Sequence, residues 1–154
     1  MDRTELYLKT AFCCMACDGD IAQEEIDLIK GVPLFQGIRV HDMLQEYLKQ
    51  LRDEGSSFLG KYLKEVENSA LTETEECELA RVAIQIIEAD ESVEYSEVAF
   101  FKKIRKKLHA SDEKLLAIIP EDTILPDRED YLMPDISDED DLSLWSDTFV
   151  VGSL

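Results

Sequence analysis

The residues best placed for chemistry lie in two acidic turns, seventy-two positions apart. The first is Asp18-Gly19-Asp20-Ile21-Ala22-Gln23-Glu24-Glu25, and the second is Asp90-Glu91-Ser92-Val93-Glu94-Tyr95-Ser96-Glu97. Laid over each other, both have an Asp, a branched aliphatic three residues on and a Glu seven residues on. Carboxylates gathered from a loop and the helix after it offer oxygen ligands, which suit hard cations such as calcium, magnesium or manganese. The same residues have a plainer use. An Asp before a helix caps its amides, and a Glu in the first turn is stabilised by the helix N-terminus. Asp18, Asp20, Glu25, Asp90 and Glu97 are therefore candidate metal ligands with a capping alternative that stays open.

Counting excludes an EF-hand. Starting the loop at Asp18 places Gln23 where the invariant Gly belongs and Ile29 where the bidentate Glu belongs; starting at Asp90 places Tyr95 and Phe101 there. Catalysis has little to build on. No Ser-His-Asp set, phosphate-cradling glycine loop or HExxH is present, and His41 and His109 lie outside both turns. We expect no enzymatic activity.

Cys14-Met15-Ala16-Cys17 is formally a CxxC, but no second pair or nearby His completes a zinc site. Thiols filling a helical core are the better reading, and acidic neighbours would make Cys17 less reactive.

The elements that must position the turns are helices. Leu6, Leu8, Ala11, Phe12, Met15 and Ala16 form an apolar face that ends at the first turn. A second helix is expected over 22–31, with Ile26, Leu28 and Ile29 inward and Pro33 beyond its end. Met43, Leu44, Tyr47, Leu48 and Leu51 make an amphipathic helix over 40–54, which Gly55 breaks, and Phe58 to Val66 repeat the spacing. Thr72-Glu73-Thr74-Glu75 reads as a capping box. It opens the most apolar helix of the chain, expected to be central, which runs into the second turn. The next helix carries Lys102, Lys103, Lys106 and Lys107 on its outer face, where cations complement the C-terminal end of the dipole. Ser111-Asp112-Glu113 starts a last short helix.

A chain of 154 residues with net charge −19 is expected to be one soluble cytoplasmic domain with a tail. No apolar run is long enough to span a bilayer. The charge excludes nucleic acid as a partner and favours cations or a basic protein surface. After Pro120 the helical period fails. Eleven acids from Glu121 to Asp147 face Arg128 alone, so residues 120–154 hold ten of the nineteen net negative charges. Tyr131, Leu144, Trp145 and Phe149 are apolar anchors among these acids and candidate partner contacts. Wrapping onto the domain is expected for 120–135, and docking on a partner or disorder for 136–154.

The turn Asp18 to Glu25, after a helix ending in small apolar residues, resembles the signature of the tellurite-resistance TerB-like family, and Asp90 to Glu97 resembles its second copy. The resemblance covers about residues 3–119. It implies an all-α fold of about seven helices in two pseudo-symmetric halves, with acidic residues that bind a divalent metal and a role in stress-response assemblies. Asp18, Asp20 and Glu25 match the first motif, and Asp90 and Glu97 the second. Glu91 stands in place of the usual Gly and Ser92 in place of an acid, so the second site is the poorer one. The expected architecture is thus a TerB-like domain over 1–119 and an acidic irregular tail over 120–154. The expected function is a non-enzymatic module that binds a divalent cation and recruits a protein partner. The alternative is a metal-free immunity or adaptor protein whose tail masks a basic partner.

Overall fold

The computed structural model describes residues 3–17, 20–21, 23–89, 95–119, 131–132 and 150–151. The fold is all-α, with seven helices among the described residues: α1 Arg3–Ala16, α2 Gln23–Lys30, α3 Val40–Glu54, α4 Ser57–Glu67, α5 Glu73–Ile87, α6 Tyr95–Lys107 and α7 Asp112–Ile118. A 3-10 turn, Pro33–Phe35, links α2 to α3. Two short extended segments, β1 Asp20–Ile21 and β2 Val150–Val151, pair in parallel.

The helix at the axis is α1. Every residue from Leu6 to Ala16 is buried, Lys9 and Thr10 included. It touches α2, α3, α4, α5 and α6. Periodicity predicts one apolar face for α1 and makes α5 the central helix. In the fold α1 and α5 pack on each other, and α5 also touches α6 and α7. The reason is composition: Cys13, Cys14, Thr10 and Ala11 are small enough for neighbours to close on every side of α1.

The expected breaks hold. Gly55, at φ 61°, ends α3 in a conformation that other residues rarely adopt, and the chain reverses into α4. The capping box forms in full: Thr72 Oγ1 accepts from the Glu75 amide at 3.2 Å, and Glu75 Oε1 from the Thr72 amide at 2.9 Å. Ser111 caps α7 by accepting from the Lys114 amide.

Two expectations are corrected. Leu28 is 43 % exposed, while Ile26 and Ile29 point inward. With α1 on one side of α2 only, the core has room for a narrow stripe and Leu28 falls outside it. Lys103 is 2 % exposed and so not on an outer face. Helix α6 is packed on α1, α4 and α5, so three sides of it are covered, and the Lys107 side chain too is only 8 % exposed, 3.8 Å from Glu67.

Buried polar groups knit the helices together. Thr10 Oγ1 donates to the Leu6 carbonyl and accepts from the Tyr62 hydroxyl at 2.5 Å. Lys9 Nζ meets Glu65 Oε1 at 2.6 Å and lies 4.9 Å from the Phe58 ring centre and 5.8 Å from that of Tyr47. These two rings and Phe12 form one cluster joining α1, α3 and α4. Among the described residues no helix is long and apolar enough to cross a membrane.

Candidate functional site

The two turns are followed by helices that begin in the same way. Glu25 is the third residue of α2, and Glu97 the third residue of α6. At that position a carboxylate reaches back to the unpaired amides of the helix start. The two differ in depth. Glu25 is half-buried, whereas Glu97 is 7 % exposed.

Glu97 is deep because the start of α6 sits against the end of α1. Cys17 Sγ donates to the Cys14 carbonyl at 3.2 Å and approaches the Ser96 carbonyl at 3.8 Å. Burial pushes the Cys14 thiol far up, and the Glu97 carboxylate adds to the shift. Cys13 is raised as well, first by burial. These thiols are core residues and poor nucleophiles, as the CxxC reading expected.

Asp18 and Asp90 lie outside the described residues, and of Asp20 the backbone alone is described, in β1. Among the described residues no three His, Cys, Asp or Glu side chains gather as a metal site would require. The structure thus brings Glu97 to the end of α1 and places Glu25 at the matching position of the first unit.

The tail anchors divide. Leu144, Trp145 and Phe149 lie outside the described residues. Tyr131 is fully buried, with its hydroxyl donating to Glu88 Oε2 at 2.6 Å and its ring edge-on to Phe101 at 5.4 Å. That corrects its assignment as a partner contact: its ring completes the core beside α6. Glu88 ends α5, two residues before the second acidic turn. The other described part of the tail, Val150–Val151, pairs with Asp20–Ile21 of the first turn. Both contacts fall on the acidic turns or beside them.

Two acidic centres, one buried and one half-buried, were not anticipated. Glu76, 4 % exposed on α5, accepts from the His109 and Ala110 amides at 2.8 Å each, and its Oε2 lies 3.1 Å from His109 Nδ1. It holds the α6–α7 connection. Glu65 takes Lys9 on one oxygen, and its Oε2 is enclosed without a hydrogen-bond partner among the described residues. For Lys9 the available signal was a charged residue inside an apolar run; Glu76 stands among other acids, so nothing local marked it.

No protein-family profile, curated protein or solved structure matches this chain.

Proposed function

We propose that this chain is a non-enzymatic, TerB-like helical module that takes a divalent cation at its acidic turns and recruits a protein partner. The observation behind this reading is the matched pair Glu25 and Glu97, each third in the helix after its turn, with Glu97 deeply buried in a chain of net charge −19. A deeply buried carboxylate keeps its charge only where amides or a cation satisfy it, and the two can do so together. Asp18 and Asp20 precede Glu25 by seven and five residues, and Asp90 precedes Glu97 by seven. Oxygen ligands in this order suit calcium, magnesium or manganese. The cation would tie each turn to the first turn of the next helix.

Calorimetric titration of each of these cations into the full chain tests it. Saturable heat that is lost in Asp18→Asn and Glu97→Gln supports the reading, and no heat with any cation sinks it. Circular dichroism separates loss of the site from loss of the fold.

The metal-free interaction reading is favoured by one observation, the concentration of ten net negative charges in residues 120–154. Under it, deleting residues 133–154, which leaves Tyr131 in the core, abolishes capture of a basic partner, while Asp18→Asn does not. The capture would weaken steeply with salt.

A further inference from the structure

The backbone of β1 has a neighbour from the far end of the chain. Asp20 is paired with Val150, and Ile21 with Val151, in parallel. Among the described residues the two segments make the whole of a two-stranded sheet. A strand edge accepts any extended segment that offers matching amides and carbonyls, and β-branched residues are the best occupants. The chain fills its own edge with Val-Val.

Three features make this a weak occupancy. The ladder is two residues long on each side, well below the length at which a strand pair is stable alone. Tyr131, fixed in the core, and Val150 are nineteen positions apart, so holding both ends in place costs chain entropy. The charge also opposes it. Between Leu132 and Val150 lie six acids and no base, and β1 is flanked by Asp18, Glu24, Glu25 and Asp27. Like charges brought together cost free energy.

We propose that the edge of β1 is a strand-addition site for an extended, β-branched peptide with basic flanks, and that the acidic tail covers it in cis. Such a peptide makes the same backbone pairing as Val150–Val151 and replaces repulsion with attraction. Tethering gives the tail a high effective concentration, so the tail sets a threshold that weakly matched segments do not pass. This rests on the partner-recruiting part of the proposed function and needs no cation.

Two synthetic peptides test it on the full chain with EDTA present. Both carry residues 148–152 of this chain, one between pairs of lysines and the other between pairs of aspartates. Amide exchange is read by NMR in β1 and at Val150 and Val151. The lysine-flanked peptide is expected to speed exchange saturably at whichever of Val150 and Val151 turns its amide toward β1, while protection of the β1 amides is unchanged, because one strand replaces another. The aspartate-flanked peptide should bind at least about tenfold more weakly, with the gap closing as salt rises. The chain truncated after Asp147, which lacks the competitor, should bind the lysine-flanked peptide several-fold more tightly than wild type. Two results overturn the proposal: binding that leaves exchange at both Val150 and Val151 unchanged, or equal affinity in wild type and in the chain truncated after Asp147. Because EDTA removes the metal here, failure of this experiment is distinguishable from failure of the cation titration.

Discussion

Glu76 and Cys14 show at the residue scale how burial changes what a side chain is for. Glu76 faces two backbone amides in a nearly dry site, so Glu76→Ala strands both donors. The expected loss is about 3 kcal/mol, read as a lower urea midpoint. His109→Ala should cost far less, because that imidazole is 85 % exposed and its contact with Glu76 is screened by water. The amides, then, and not the ion pair, are what Glu76 is there to hold. The thiols give a second test. Cys13, Cys14 and Cys17 are buried and Cys77 is half-exposed. Iodoacetamide at pH 8 should label Cys77 first in the native protein and all four after denaturation, as read by mass spectrometry. Cys77 should still react more slowly than a free thiol, because burial and then Glu73 raise its pKa.

At the scale of elements, α5 carries the plainest local signal in the chain. Its capping box was legible from four residues, and both reciprocal bonds form. Thr72→Ala should destabilise the protein by about 1 kcal/mol in a thermal melt. The same cap has a pH signature. Glu75 is held below the ordinary glutamate range, first by the Thr72 amide and then by the Arg3 guanidinium. A depressed folded-state pKa means the contribution is present at neutral pH and is lost as pH falls through the carboxylate range. Stability should therefore drop on acidification through the carboxylate range, and the drop should be shallower in Glu75→Gln, measured by melts across pH. The helices α3, α4 and α7 were equally readable, since an apolar stripe and a breaking residue are properties of a short stretch. The depth of α1 was not. Its periodic residues mark one apolar face, and the closing of neighbours around the other sides is a matter of long-range packing.

For the whole molecule, the tail belongs partly to the core. Tyr131 fills a space beside Phe101, so truncation after Ile119 removes a fully buried ring and should cost about 2–4 kcal/mol. Truncation after Leu132 should cost much less, because it keeps that ring and removes six acids from a chain already at −19. Equal urea midpoints for the two truncations would show that Tyr131 is not an anchor. The tail anchors were legible as apolar residues among acids, but that Tyr131 enters the core was not. Tyr131, Trp145 and Phe149 look alike in sequence, and a tyrosine is selected where a ring-sized space and a carboxylate acceptor, Glu88, occur together.

The helices, their caps and breaks, the two acidic turns and the split of charge between domain and tail are all written in neighbouring residues, so the chain alone specifies them. Folding in three dimensions was needed to make α1 the axis, to set Glu97 deep while Glu25 stays half-exposed, to turn Leu28 out and Lys103 in, and to lay Val150–Val151 along the first turn. Burial and strand pairing depend on segments up to about 130 positions apart in the chain, and no local pattern specifies which of several similar side chains will find the vacant space.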